Sequence, residues 1–337
     1  LELVPEWRKF LTDCFAAPDQ IAQWQEWLGY LLTDETCAQK GAMLIGKRRS
    51  GKGTWGRIIT DLLGTVAEFK TRTFERDSGM QNFVDKTVAI NADMRVDRST
   101  NQGVLAEALL AITGEDPQTV FRKFLPDWNG RLRVRFVLMS NSLPELHDAD
   151  GVLASRFIYF SFPNSFFGKE DPRLQQKLMA YSDSLLLWAV RGYQRLLGNG
   201  YKFSLSQAHH AMAQTALLRQ NPVGQFIAQE LNISGDQNDK LFMEDLHAVF
   251  LDFAQAAGVT QFTEKSFGKR LWRNDEILKK AISIRMQRGY VRKRATAGVQ
   301  LRKPKTEEQL QTLRDQHSEG DLMGEVVNFP NGGADDD

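Results

Sequence analysis

The chain has 337 residues, 42% of them hydrophobic and 25% charged, with a formal net charge of +1. That length can bury a sizeable core and suggests two units at roughly 100–200 residues each. Cys14 and Cys37 are too few for a disulfide framework or a cysteine-rich zinc site and fit a reducing compartment. No apolar run approaches the ~20 residues of a membrane span, and Leu1 is not followed by a signal peptide's basic and apolar regions, so no membrane partner is expected. The missing initiator methionine reads as a processed chain or a piece of a longer protein.

Residues 5–32 predict two helices, one burying Trp7, Phe10, Leu11, Cys14 and Phe15, the next opening at Pro18 and carrying Trp24, Trp27, Leu28 and Leu31. From Gly41 the pattern changes. "AMLI" (42–45), "TVAI" (87–90), "VRFVLM" (134–139) and "FIYF" (157–160) read as buried strands, with helical spacing between the first three, as in Val104, Leu105, Ala108, Leu109 and Ile112. That alternation predicts an α/β sheet. Helical spacing returns from Pro172 to about Leu197, and residues 199–206 read as a linker.

Beyond the linker, "FMEDLHAVFLDFAQAAG" and "SFGKRLWR" read as helices and "GYVRKRATAGVQLR" as a basic hairpin, an order that suits a small winged-helix domain. Charge is unevenly spread: residues 265–303 hold 13 Lys and Arg against 2 acids, whereas 304–337 hold 2 basic residues and 9 acidic ones. One segment attracts anions and the next repels them. Lys279, Lys280, Arg285, Arg288, Arg292, Lys293 and Arg294 are candidate DNA contacts, with a solvated charged face as the competing reading. The acidic tail is expected to be disordered apart from a helix at 307–314, and could mask the basic surface. His209 and His210 are adjacent, so their side chains diverge on a helix and do not suggest a shared metal.

The stretch "GAMLIGKRRSGKGTWGRIITDLLG" carries a G-x4-G-K pattern, which a chain of this length shows about 0.1 times by chance. Its context is more informative. Gly46 ends an apolar strand, and Gly51 precedes a helix with Trp55, Ile58, Ile59, Leu62 and Leu63 on one face, closed by Gly64. Strand, glycine loop and helix start gather backbone N–H groups and the positive end of the helix dipole around one point, a place for a triphosphate. Gly46, Ser50, Gly51, Lys52, Gly53 and Thr54 would form the cradle, with Lys52 reaching the outer phosphates. Gly53 stands where a magnesium-binding hydroxyl is usual, and Thr54 is the nearest substitute. Asp93, after the strand "TVAI", is the candidate carboxylate for magnesium, a solvated turn aspartate being the alternative. Only one acid stands there, and Glu115, Asp116 and Asp97 are candidates for the base that activates water.

In order along the chain, "GKRRSGKGT", "VAINADMR", "ITGEDPQTVFRKFLPDWNG", "RFVLMSNSLPEL", "DADGVLASRFIYFSF" and "SFFGKEDPRL" resemble the superfamily 3 helicase part of phage and plasmid primase-helicases. The resemblance covers about residues 41–197. It implies an AAA+-like P-loop NTPase core at 41–200 within the α/β class, after an N-terminal helical region at 1–40 that could serve as an oligomerisation collar. A winged-helix-like domain at 207–303 and an acidic tail at 304–337 would follow. It further implies a ring, usually a hexamer, around DNA, with Asn141 as the sensor that orients the attacking water. Arg156 would be the arginine finger supplied to a neighbouring subunit. Residues 114–130 match the DNA-contacting hairpin, with Arg122 and Lys123 as phosphate contacts, while Phe121, Phe124 and Trp128 either pack the hairpin or touch bases. "HDADG" contains an Asp-x-Asp, Asp148 and Asp150, but its place before Arg156 fits the helicase pattern better than a primase metal site.

The expected function is therefore an ATP- and magnesium-dependent translocase on single-stranded or duplex DNA. It would serve the replication of a mobile element in the cytoplasm of a bacterial host. Two rivals stand beside it. One is an initiator in which ATP only promotes assembly on DNA, suggested by Gly53 and the single acid; the other is a nucleotide kinase, suggested by "GKGT".

Overall fold

The computed structural model describes residues 3–15, 17–96, 100–144, 152–255, 262–288 and 291–322. The chain divides into two compact units, Leu1–Gln220 and Asn221–Asp337.

The first unit opens with helices α1 (Pro5–Cys14) and α2 (Pro18–Leu31), each started by a proline in its first turn, where the missing N–H costs nothing. Strand β1 (Gly41–Gly46) then leads into α3 (Lys52–Leu63), followed by a short β2 (Val66–Glu68) and β3 (Val88–Asn91). Helix α4 (Gln102–Thr113) precedes a hairpin of β4 (Gln118–Val120) and β5 (Trp128–Gly130), and β6 (Arg135–Ser140) follows. The unit ends with α5 (Val152–Ser155), β7 (Phe157–Phe162), α6 (Leu174–Met179), α7 (Ser182–Gly198) and α8 (Gln207–Gln220).

Five strands form one parallel sheet in the order β2-β3-β6-β1-β7. This is a mixed α/β fold with a central parallel sheet. Because successive strand residues face opposite ways, each apolar run feeds two cores at once. Ala42 and Leu44 join Val137, Ile158 and Phe160 on the face covered by α1, α2, α3 and α7, whereas Met43 joins Phe136, Leu138 and Phe157 on the face covered by α4 and α8.

The apolar faces of α1 and α2 pack into that first core. Trp7, Phe10 and Trp24 each pack against Trp55 of α3, with ring centroids 5.8, 5.2 and 4.8 Å apart. Helix α2 also closes the outer border of the sheet. Gln20 and Gln23 exchange amide hydrogen bonds with the backbone of Ser161 and Tyr159, and Tyr159 N–H donates to His209 Nδ1 at 3.1 Å. The side chains thereby take the place of a sixth strand.

His209 is thus a structural acceptor, which requires its ring to be neutral. Burial, then the nearby positive charges of His210 and Lys40, lower its pKa from 6.5 to about 4. The folded pKa lies below the unfolded one, so only the unfolded chain takes up this proton between those values. The stabilisation is complete above about pH 6.5 and declines toward pH 4. Denaturant midpoints of the wild type should fall over that window by an amount corresponding to a few kcal/mol. The His209→Gln variant should show a flatter profile there, and an unchanged slope would reject the assignment.

At the start of β6, Arg135 is 1% exposed. Its Nη1 donates to Thr33 O at 2.6 Å and Glu35 O at 2.9 Å, just past the end of α2, and its Nε donates to Thr87 O at 3.0 Å. Burial lowers its pKa to about 10, opposed by Tyr30, Asp34 and Glu35.

The second unit contains α9 (Pro222–Glu230), β8 (Leu231–Asn232), β9 (Lys240–Phe242), α10 (Met243–Gln255), α11 (Glu264–Leu271) and α12 (Asp275–Lys280). Then come β10 (Ile282–Arg288), β11 (Val291–Ala297), β12 (Gln300–Leu301) and α13 (Glu307–Leu322). Strands β10, β11 and β9 form an antiparallel sheet behind the helices, with α10, α11 and α12 between β9 and the β10–β11 hairpin. Phe250 and Phe267 stack at the unit's centre, and Phe226 meets both edge-on.

Helix α13 outruns the short helix expected at 307–314 and packs on α10, burying Leu310. Its Glu307 and Arg314 enter an ion-pair cluster with Arg288 and Asp245. Lys293 pairs with Glu244 at 2.5 Å and Arg294 with Glu264 at 2.9 Å. Arg288, 20% exposed and paired with Glu244, Asp245 and Glu307, is held by acids of its own unit, which favours a structural role over phosphate contact for it. The acidic tail beyond residue 322, Asp97 and the Asp-x-Asp of Asp148 and Asp150 lie outside the described residues.

Candidate active site

In an open parallel sheet the crevice beyond the carboxyl ends of the strands is the place for a ligand. Gly46 ends β1 there, and the glycine loop turns from it into α3. Both loop glycines are dictated by geometry. A Cβ on Gly46 would lie 2.2 Å from Phe162 O of the adjacent strand, and Gly51 caps α3 with φ 94°, where a Cβ would also meet Cys14 Sγ at 2.8 Å. The loop is braced from below: Ser165 Oγ donates to Arg48 O at 2.9 Å and Phe166 N to Arg49 O at 2.8 Å. This gives the "SFFGKEDPRL" segment a physical role.

Lys52 is buried on the first turn of α3. Its Nζ donates to Gly46 O at 2.5 Å, Lys47 O at 2.9 Å and Ser50 Oγ at 3.1 Å, all within the loop itself. Burial lowers its pKa, and the charge of Asp93 works against that shift. The ammonium is thus anchored inside the loop and within electrostatic reach of Asp93.

Asp93 and Asn141 meet in one cleft of about 430 Å³, lined also by Arg48, Arg95, Ser140 and Arg219. The backbone stitches them together: Met94 N–H donates to Met139 O at 2.7 Å, holding the chain after β3 against the end of β6. Asp93 pairs with Arg95 at 2.7 Å, both side chains being more than half exposed. Such an exposed pair exchanges readily for another cation. Arg48, Arg95 and Arg219 make the walls of the cleft attractive to an anion.

Sequence reasoning missed two features of this cleft. Arg219 arrives from the end of α8, where its Nη1 donates to Leu143 O at 3.1 Å. Asn91, the last residue of β3, is 3% exposed and accepts Asp93 N–H at 3.3 Å, while its own Nδ2 has no hydrogen-bond partner among the described residues.

The available donors fit magnesium. The Thr54 hydroxyl and Asp93 carboxylate are hard oxygen ligands, and magnesium takes few of these from a protein, keeping waters and phosphate oxygens for the rest. No group of three or more His, Cys, Asp or Glu suited to a more heavily protein-coordinated metal occurs among the described residues. At Gly53 a Cβ would meet only Arg57 Nη1, at 3.7 Å. Space therefore does not exclude a hydroxyl there, and a test follows. Thr54→Ala is expected to lower turnover about a hundredfold at limiting magnesium, on the scale of removing one transition-state contact. Adding Gly53→Ser should recover part of the loss; no loss in Thr54→Ala would remove Thr54 from the metal role.

The remaining expected residues lie elsewhere. The register pairs Gly41 with Phe157 and Gly46 with Phe162. Arg156, which precedes Phe157, is therefore separated from its own glycine loop by about 17 Å of strand. It stands at the amino ends of the strands, with Nη1 on Gln39 Oε1 at 2.5 Å and Lys40 close enough for the two charges to interact. Glu115 lies toward that same end, accepting from Thr36 Oγ1 at 2.5 Å, and so is not brought to Asp93 and Asn141. Arg122 and Lys123 occupy the loop between β4 and β5. Arg122 Nε donates to Pro126 O at 2.9 Å, which commits that part of the guanidinium to shaping the turn.

Residues 44–156 match a family described as of unknown function, DUF5906. No curated protein matches the chain. Two apo structures of the NrS-1 C-terminal region superimpose with TM-scores of 0.56 and 0.55, at 10% and 13% identity. They cover 88% and 89% of this chain and 76% of each of those chains. A compound-bound JCV helicase covers 74% of this chain and 71% of its own, at 14% identity and a TM-score of 0.32. At these identities the NrS-1 likeness is one of fold. No helix among the described residues is long and apolar enough to cross a membrane.

Proposed function

We propose that this chain is the ATP-driven motor of a DNA helicase of the superfamily 3 type, acting as a ring, hexameric by resemblance, in replication of a phage, plasmid or other mobile element in a bacterial cytoplasm. The observation that carries the reading is the split arrangement of charge. Lys52, Asp93 and Asn141 gather at the carboxyl ends of the strands, whereas Arg156 stands at the amino ends. A single copy holds most of an ATPase site and presents its last cation to somewhere else, as a ring of identical subunits requires.

In this reading the loop amides and Lys52 grip the phosphates of ATP, and Lys52 exchanges its carbonyl partners for phosphate oxygens. Thr54 and Asp93 would hold magnesium, which would supply positive charge to offset that developing on the phosphates. Asn141 orients a water toward the outermost phosphorus, and Arg156 of a neighbouring copy stabilises the departing charge. Loss of that bridged contact loosens the boundary between copies and moves Arg122 and Lys123 against the DNA backbone.

A second reading, ATP-dependent assembly on DNA without sustained unwinding, draws on Gly53 and on Asp93 being the sole acid in the cleft lining among the described residues. Phosphate release measured with and without single-stranded DNA separates the two. The motor predicts steady turnover, stimulated by DNA and abolished in Lys52→Ala. Binding without turnover supports the assembly factor, and transfer of phosphate to a nucleotide acceptor would indicate a kinase.

A further inference from the structure

One cation of α3 is directed at the candidate magnesium ligand itself. Helical side chains lean toward the amino end and meet those three and four residues away, so Arg57 reaches back to Gly53 and Thr54. Its Nη2 donates to Thr54 Oγ1 at 3.3 Å, and its Nη1 is the atom that a Cβ on Gly53 would meet, at 3.7 Å. The guanidinium therefore rests beside the place where a side chain at residue 53 would stand.

That posture is imposed from another helix. Arg57 Nε donates to Gln175 Oε1 of α6 at 2.6 Å, and Gln175 Nε2 donates in turn to Asp61 Oδ2 at 2.5 Å. Arg57 and Asp61 are four residues apart, a spacing at which opposite charges on a helix commonly pair. Gln175 engages both instead: its carbonyl takes the Nε edge of the rigid guanidinium fork and its amide takes the carboxylate. The terminal nitrogens of Arg57 are left turned toward Thr54.

The chemistry of the hydroxyl makes this contact consequential. A threonine oxygen offers two lone pairs, and Arg57 occupies one of them while setting a positive charge beside it. Magnesium on the same oxygen would have a like charge as its neighbour, and it demands a near-ideal octahedral arrangement of ligands. Repulsion of this kind persists even in water at a few ångströms and doubles for a divalent ion. Arg57 is exposed, so its terminal nitrogens have room to withdraw.

We infer that Arg57 is a built-in competitor for the Thr54 hydroxyl, a positioning residue that sets how much magnesium the site requires. The inference rests on the reading of Thr54 as a magnesium ligand and deepens it. When the ion arrives, Arg57 gives up Thr54 and keeps Gln175, so α6 holds the displaced cation ready to return.

The test uses the full chain with a non-hydrolysable ATP analogue and manganese(II), whose free fraction is counted by electron paramagnetic resonance. Arg57→Met removes the charge and the donor but keeps a good helix former, so the fold is retained. It should tighten manganese in the nucleotide complex about tenfold and lower the magnesium needed for half-maximal turnover by a similar factor. In a Thr54→Ala background the same change should shift manganese affinity by no more than about twofold, because no hydroxyl remains to compete for. An equal shift with and without that hydroxyl would overturn the inference. So would weaker analogue binding by Arg57→Met in the presence of a chelator, which would make Arg57 a phosphate ligand. A Thr54→Ala chain that binds manganese as tightly as wild type would remove the inference and leave the phosphate grip of the glycine loop standing. A wild-type chain that binds no nucleotide, with metal or without, would instead remove the ATPase reading itself.

Discussion

Arg156→Ala is expected to lower ATP turnover about a thousandfold, the scale on which an arginine finger acts. Its nucleotide affinity should change far less, since the phosphate grip belongs to Lys52 and the loop. The substitution is structurally mild. The half-buried side chain loses its contact with Gln39, but the backbone bond from Gly41 N to Arg156 O at 2.9 Å survives in any residue. An unchanged melting midpoint would separate a lost cation from a damaged fold. The decisive experiment mixes two inactive chains. Lys52→Ala subunits still present Arg156, and Arg156→Ala subunits still hold a sound glycine loop, so mixed assemblies contain some complete sites and should regain measurable turnover. Two inactive chains that stay inactive together, or an Arg156→Ala chain active by itself, would rule out a shared site.

The second large effect concerns stability. Arg135→Ala should cost the first unit about 3–5 kcal/mol, the range for breaking a buried charged network. It would leave the carbonyls of Thr33 and Glu35 without this donor, take from Thr87 O one of its two donors, the backbone N–H of residue 135 remaining, and leave a side-chain-sized void beneath them. Arg133, two residues earlier, supplies the control. Its pair with Asp34 is 3.0 Å long, but both side chains are 68% exposed, so Arg133→Ala should change stability by no more than about 0.5 kcal/mol. Denaturant midpoints of the two variants, followed by a probe in the first unit, test the contrast. Equal effects would mean that burial does not decide the contribution of these arginines.

Much of the fold of the first unit can be read from the chain because its strands are buried on both faces and so appear as unbroken apolar runs. The runs around Met43, Ala89, Val137 and Ile158 each become a sheet strand. Strand β2, only Val66–Glu68 at the border of the sheet, is too short to leave a pattern. Helix α8 was also hard to place. Its inward contacts come from His209, Met212 and Ala216, a polar ring and modest apolar groups that leave little amphipathic signal. The division between units accordingly falls after Gln220 rather than in the stretch 199–206.

The same distinction holds within the site. The strand–loop–helix geometry around Gly46 and Gly51 is legible because its constraints fall on neighbouring positions in one short segment. Arg219 reaches the cleft only through the packing of α8, and nothing beside it in the chain announces the role. Asn91 sits two residues before Asp93 but is polar at the end of an apolar run, where an ordinary turn residue would look the same.

The outer border of β7 carries one more implication. A bare strand margin is a template on which another chain can grow, and proteins commonly blunt it to avoid fibrous association. Here the main-chain groups of Tyr159 and Ser161 are already answered by Gln20, Gln23 and His209. No further strand can be added along that margin without first evicting a glutamine or the imidazole, so any association of this face with another chain is left to side-chain surfaces rather than to strand pairing.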